Sequence, residues 1–352
     1  MKKCSLILFF LSCGVANAQY NLINIGFSQF MKHEIATDCY SITDQTAQSV
    51  EDKKYTFKNL RLYILKGNDE IRKSAKDLGN YLSLQDAIVK NLIEISEMDG
   101  GSVNILSFQN VSTDTILVLA GEIVTGGKQD RVIGCDLLLL PRIGQVKVPV
   151  FCVEHGRWKS NGTGESFKGY FGVSSAAVRK QAVVDKNQGG VWKKVAEVNQ
   201  KNNVNPSTGT YTALKNSESL NWELDAYMKF FEPLVATDTN IIGFVAVTGD
   251  TIISCDIFGN NALFKSHAHG LIKAAAVEAS TNGSVVTILA SQVLAFLTEF
   301  LTSDIGQEEK IMEKGTLLMN KGKKVHMNYY KSGKTEGSTS IIHPMKINRI
   351  GN

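Results

Sequence analysis

The sequence predicts an α+β fold, with an antiparallel β-rich N-terminal half and helices mainly in the C-terminal half. Three observations carry this. Apolar runs rich in branched and aromatic residues crowd positions 55–154, whereas apolar residues at helical spacing dominate 174–302. The loops between the early runs are short, which makes those strands antiparallel neighbours, because a parallel crossover needs a dozen or more connecting residues. Strands followed by helices also differ from the alternating order of a parallel-sheet protein.

The elements follow in chain order. Residues 1–18 read as an export leader: Lys2 and Lys3 are its positive start, 5–12 (SLILFFLS) its apolar centre, and Ala16-Asn17-Ala18 the small-x-small cleavage site. The apolar run falls short of the roughly 20 residues that a membrane span needs. Residues 11–14 (LSCG) also resemble a lipobox with Cys13 as the acylated residue, and cleavage after Ala18 is preferred over that lipid anchor. The mature chain is therefore expected to be periplasmic or extracellular. Residues 19–330 are expected to form a single α+β domain, since no Pro-rich linker or internal repeat divides them, and 331–352 a polar C-terminal tail.

Within the domain, 21–29 and 55–66 read as strands. Ser83 caps a helix: Asp86 follows three positions later, and Leu84, Ala87, Ile88 and Leu92 recur at helical spacing. Strands are predicted at 103–108, 115–124, 131–140 and 146–154. From 158 to 170 the Gly, Ser, Asn and Lys content is loop chemistry. Helices are expected at 174–184, 190–199 and near 220–231, then a hairpin of 241–247 with 251–256 around Thr248-Gly249-Asp250. Helices follow at 261–280 and 285–302. The second is interrupted by Thr287, Ser291, Gln292, Thr298 and Glu299, so it reads as a packed amphipathic helix and not a transmembrane span. A last hairpin joins 316–319 to 325–330 through Lys321-Gly322-Lys323.

Composition excludes several classes. At 43% hydrophobic and 20% charged, with 30 Gly and 5 Pro, the chain is neither collagenous nor disordered. The net charge of +4 falls to +2 once Lys2 and Lys3 leave. The one local basic excess, 314–334, is interspersed with Gly, Ser and Asn and reads as a solvated segment, so nucleic acid is not expected as a partner. Cys39, Cys135, Cys152 and Cys255 remain after leader removal; four thiols permit three complete pairings, and buried free thiols fit equally well. No cysteines have metal-finger spacing, and His267 and His269, two apart, point to different faces of a helix. No metal or cofactor is expected. HExxH, GxSxG and GxxxxGK[ST] are all missing from the sequence.

Two segments concentrate polar chemistry. In the first, 121–131 (GEIVTGGKQDR), Gly126 and Gly127 let a ligand or another chain approach the backbone, and Lys128, Gln129 and Arg131 offer donors to an anion. A solvated hairpin turn is the competing reading. In the second, 152–158 (CVEHGRW), Glu154 ends a strand on the same face as Val148, Val150 and Cys152, so it needs a partner, for which Arg131 and Arg157 are candidates. Glu122 falls at the polar end of a face shared with Ile116, Val118 and Ala120. If the two strands are neighbours, two carboxylates and two guanidiniums meet at one rim beside Trp158, which either presents its ring to a sugar or base or packs into the core.

GEIVTGGKQDR and VPVFCVEHGRW (148–158) together resemble the paired signature of the ADP-ribosylglycohydrolase and rhodanese-phosphatase associated protein domain family. SLQDAI from Ser83, QGGVWKKV from Gln188 and GFVAVTGDTIISCDIFG from Gly243 are similar to it as well. The resemblance implies that Glu122, Gly126, Gly127, Gln129, Arg131, Glu154, Gly156, Arg157 and Trp158 are shared motif positions with no assigned role; His267 and His269 depart from its usual apolar or aromatic residues. Three functions stay open. One is a binding domain whose Glu/Arg/Trp rim takes a polar or anionic small molecule, such as a sugar or nucleotide fragment. Another is a hydrolase of a glycosidic or phosphate-containing, ADP-ribose-like substrate with Glu122 or Glu154 as acid/base, which requires carboxyls about 5 to 10 Å apart across an open cleft. The third is a structural or interaction domain.

Overall fold

A computed structural model describes residues 54–67, 81–98, 103–159, 166–302 and four later strands, Glu308–Met312, Gly315–Asn320, Val325–Lys331 and Thr339–Ile347. The expected leader, the strand at 21–29 and Cys39 lie outside the described residues. The fold is α+β, with antiparallel sheets mainly in the N-terminal half and helices in the C-terminal half.

The chain opens with β1 (Thr56–Phe57) and β2 (Leu60–Lys66), one expected strand folded back on itself at Lys58, whose φ is +48°. After β3 (Leu82–Ser83) comes α1 (Leu84–Val89), where Ser83 Oγ accepts the Asp86 N–H as its sequence position predicts. The helix stops before Leu92, because Ile93–Glu97 forms β4, an alternating IEISE strand that the sequence reading left unassigned. β5 (Ile105–Asn110) follows.

Residues 115–124 and 131–140, each predicted as one strand, are each divided. The first yields β6 (Ile116–Val118) and β7 (Glu122–Gly126), the second β8 (Arg131–Ile133) and β9 (Leu137–Leu139). Ile116 pairs with Leu139 and Val124 with Arg131, so register runs unbroken through the division. The predicted pairing is right, and a corner is what the pattern did not show. Gly121 makes it: its φ is +95°, and a Cβ there would stand 2.6 Å from Arg179 Cγ. The ribbon thus passes from a six-stranded sheet into a three-stranded one. β10 (Val146–Cys152) and β11 (Phe167–Val173) complete the larger sheet, in the order β11-β7-β8-β10-β5-β4; the smaller is β3-β6-β9. β11 occupies part of the predicted 158–170 loop. Its two glycines coincide with irregularities in its pairing to β7, and they made the sequence look like a loop.

Helices α2 (Ala176–Val183), α3 (Gln188–Lys201) and α4 (Glu218–Ala236), with a 3-10 turn at Tyr211–Asn216, precede the hairpin β12 (Ile241–Thr248) and β13 (Thr251–Ile257). Next come α5 (Asn261–Asn282) and α6 (Ala290–Thr302). Every residue of β12 is buried. Both its faces are covered, one by the core that includes Phe264, Leu271 and Ile272 of α5, the other by Val293, Leu297 and Phe300 of α6. No helix among the described residues is long and apolar enough to cross a membrane. β14 (Glu308–Met312), β15 (Gly315–Asn320), β16 (Val325–Lys331) and β17 (Thr339–Ile347) finish an eight-stranded sheet ordered β1-β2-β12-β13-β17-β16-β15-β14. The expected hairpin of 316–319 with 325–330 is present. The expected polar tail at 331–352 contains β17, which pairs with β13 because Met345 and Ile347 fill the core and His343 meets buried acids there.

Candidate functional site

The first polar cluster lies at the tip of the β7–β8 hairpin. Gly127 turns it at φ +49°, and a Cβ at that position would meet the Phe167 ring at 2.4 Å, so the glycine admits strand β11 rather than a ligand. Arg157 clamps the turn. Its Nε donates to Glu154 Oε2 at 2.8 Å, and its terminal nitrogens reach Gly127 O (2.8 Å), Lys159 O (2.9 Å), Gly126 O (3.3 Å), Asp130 Oδ1 (3.3 Å) and Glu154 Oε2 (2.6 Å). All the donors of a guanidinium are thereby engaged. Asp130 also accepts from Thr210 Oγ1 and Thr212 Oγ1, and burial, reinforced by Glu154, pushes its carboxyl upward. Arg131 is fully buried: it donates to Gln129 O at 2.8 Å and lies 3.5 Å from Glu97. Gln129 is buried too. The surface members of this group are Lys128, 5.8 Å from the ring centroid of Trp158, and Trp158 itself, which is half exposed.

Glu122 does not join that tip. It stands at the other end of β7, four residues and roughly 13 Å along the strand from Gly126. Glu122 and Glu154 are both buried and belong to separate clusters, so they do not face each other across an open cleft. Glu122 Oε2 accepts the Leu119 N–H at 2.7 Å, and Oε1 lies 2.9 Å from Tyr170 Oη. Behind it, Asp136 Oδ1 accepts the Ala120 N–H, and Oδ2 meets His343 Nδ1 at 2.6 Å. The other His343 nitrogen is 3.2 Å from Asp256 Oδ1, which also takes Arg179 at 2.7 Å. Burial works against a charged His343, but Asp136 and Asp256 outweigh it and hold the ring at about 9. Burial likewise raises Asp256, yet Arg179 and His343 carry it well below the carboxylate range. Two acids and two cations thus balance in the interior. Glu122 is a third acid, with no ion pair among the described residues, and burial, aided by Asp136, pushes it up to about 8 despite its hydrogen bonds to Leu119 and Tyr170.

On the other side of Tyr170 opens a cleft of about 250 Å³ between β11, the 3-10 turn, α4 and α5. Tyr170, Phe171, Tyr211 and Leu214 supply its aromatic and aliphatic wall; Lys215, His269 and Lys273 stand exposed around it. No carboxylate among the described residues lines it. His269 pairs with Glu232 beside the cleft, so the two lysines dominate its charge. His267 faces away, buried and stacked on Phe258, with its ring driven down to about 4 mainly by burial. The histidine pair therefore splits between two helix faces, as its spacing predicts. Cys135, Cys152 and Cys255 are buried free thiols.

The structure brings Glu154, Arg157, Gly126, Gly127, Gln129, Arg131, Lys128 and Trp158 to one hairpin tip and leaves Glu122 in another cluster. Tyr170, Asp136, Arg179, Asp256, His343 and the cleft lysines were missed as site candidates. A signal existed for one of them: Asp256 in TIISCDI is an isolated charge in an apolar run, which demands a buried partner. The family model described as ARG and Rhodanese-Phosphatase-superfamily-associated Protein domain matches residues 49–343. No curated protein and no solved structure matches the chain.

Proposed function

The chain belongs to the ARG and Rhodanese-Phosphatase-superfamily-associated Protein domain family, and we propose that it is an exported binding domain for a small anionic ligand with an apolar or aromatic body. The leader features at 1–18 support export. The observation that carries the ligand reading is the cleft beside β11, with aromatic walls, two lysines and no acid among the described residues of its lining. Mostly apolar concave sites with a few placed polar groups are what small ligands occupy. Charge selects within that class, because an anion gains from Lys215 and Lys273, whereas a cation meets repulsion. The hairpin tip is a poorer candidate, since Arg157 gives its donors to protein acceptors and so locks the turn, and Arg131 is fully buried.

The test is a titration of the full chain with naphthalene-2-sulfonate, 2-naphthylmethanol and 2-naphthylmethylammonium, followed by calorimetry and thermal shift. The sulfonate is expected to bind and raise the melting temperature. Lys215→Glu and Lys273→Glu should each weaken it about two- to fivefold, the scale of exposed charge interactions. Equal affinity for all three probes, or no binding of the sulfonate, sinks the reading.

A further inference from the structure

We propose that Tyr170 is the ligand-orienting donor of the cleft: Glu122, as a carboxylic acid, donates to Tyr170 Oη and turns the phenolic hydrogen outward to an oxygen of the bound anion. This rests on the cleft reading above and assigns its specificity-determining pair.

Hydrogen-bond bookkeeping leads there. Leu119 N–H has only a donor to offer and lies 2.7 Å from Glu122 Oε2, so that oxygen accepts. The acid proton of a neutral Glu122 finds its acceptor on the Oε1 side, where Tyr170 Oη lies at 2.9 Å. Once the phenol oxygen accepts that proton, its own hydrogen cannot point back at Glu122. It turns toward the cleft, which Tyr170 lines. The phenol is a lasting donor, because burial, with the carboxyl behind it, pushes Tyr170 well above its ordinary value. The facing helix leaves room: Gly270, in the middle of α5, lies where a Cβ would stand 3.1 Å from Val173 Cγ2 and 3.7 Å from Tyr170 Oη. A mid-helix glycine is unfavourable against alanine, and here its missing side chain leaves Tyr170 Oη without that contact.

The relay is switchable. When Glu122 ionises, its Oε1 becomes an acceptor, Tyr170 donates inward, and the cleft loses its donor while gaining a negative charge behind the wall. The groups around Glu122 are Asp136 from the β8–β9 connection, Arg179 from α2 and Tyr170 from β11, with His343 of β17 behind Asp136. Those around the cleft are Lys215, Lys273 and the Glu232-paired His269.

The experiment is fluorescence titration of the full chain with naphthalene-2-sulfonate, which keeps its charge throughout, at pH 7 and 9.5, for wild type, Glu122→Gln, Tyr170→Phe and Lys273→Glu. Wild-type affinity should fall on the order of tenfold between the two pH values, the loss of one charge-assisted hydrogen bond. Glu122→Gln, whose amide can accept from Leu119 and donate to Tyr170 permanently, should stay within about twofold across that range. Tyr170→Phe should be weak at both. Calorimetry of wild type in buffers of different ionisation enthalpy supplies a check that needs no variant: binding should take up a fraction of a proton centred near pH 8, where Glu122 titrates. A flat wild-type profile, zero proton uptake near pH 8, or full affinity in Tyr170→Phe while Lys273→Glu still weakens binding overturns the relay and leaves the cleft standing. No binding, or binding indifferent to Lys273→Glu, overturns the cleft reading and the relay with it.

Discussion

Replacing Glu122 by Gln should make the protein more stable, by an amount that grows with pH. In the fold this carboxyl titrates at about 8, against 4.5 in an unperturbed chain. A group raised in this way contributes its full stability below the unfolded value and loses it as pH climbs through the folded one, because the unfolded chain ionises first. Each pH unit inside that window costs about 1.4 kcal/mol, hence on the order of 4 kcal/mol between pH 5 and pH 8. Glutamine has no proton to lose, and its amide can satisfy both the Leu119 N–H and Tyr170 Oη. The difference between the two proteins therefore isolates Glu122 from other titrations. The assay is urea unfolding monitored by tryptophan fluorescence at fixed ionic strength. At pH 5 the two proteins should agree within about 1 kcal/mol, and at pH 8 the variant should lead by several, with unchanged dependence on urea. Parallel pH profiles would mean that Glu122 ionises as freely inside as outside, and the account of its burial would be wrong.

His343→Gln strips one of two cations from a pair of buried acids and should cost about 3–5 kcal/mol. Since the ring is raised from 6.5 to about 9, its stabilisation is complete below pH 6.5 and disappears as pH rises through 9, so thermal melts of the variant should lack that part of the alkaline decline. Arg157→Met leaves Glu154 and Asp130 facing each other in the interior and should cost a similar amount, while sulfonate binding at the cleft, measured below the melting temperature, stays intact; a binding defect in a folded Arg157→Met protein would return the ligand to the hairpin tip. Trp158→Ala removes a half-exposed ring and should change the denaturation midpoint by less than that which about 1 kcal/mol produces; a larger loss would mean the ring supports the turn. Cys135, Cys152 and Cys255 should react with a thiol reagent in the native chain only as fast as it opens, and all three should label in urea; protection that persists in urea without reductant would reveal a disulfide.

What the sequence determined by itself is what local rules govern. Ser83 with Asp86 placed a helix start, the period-two runs placed most strands, and the short connections made them antiparallel. The β12–β13 hairpin was visible in its apolar runs around Thr248-Gly249-Asp250, and the ribbon of 115–124 with 131–140 kept the expected pairing. Glu154 with Arg157, three residues apart, was within reach of the same logic. Tertiary structure decided the rest. Gly121 bends the ribbon because Arg179, 58 positions away, occupies the space a side chain would need, and β11 tolerates two glycines because β7 is there to pair with it. Glu122 looked like the polar end of a strand. Its carboxyl is pushed up to about 8 because burial strips its solvation and Asp136 adds repulsion, while Arg179, drawn from another segment, is paired to Asp256. Protonation follows from the sum of fields over everything nearby in space, and a one-dimensional pattern does not contain that sum.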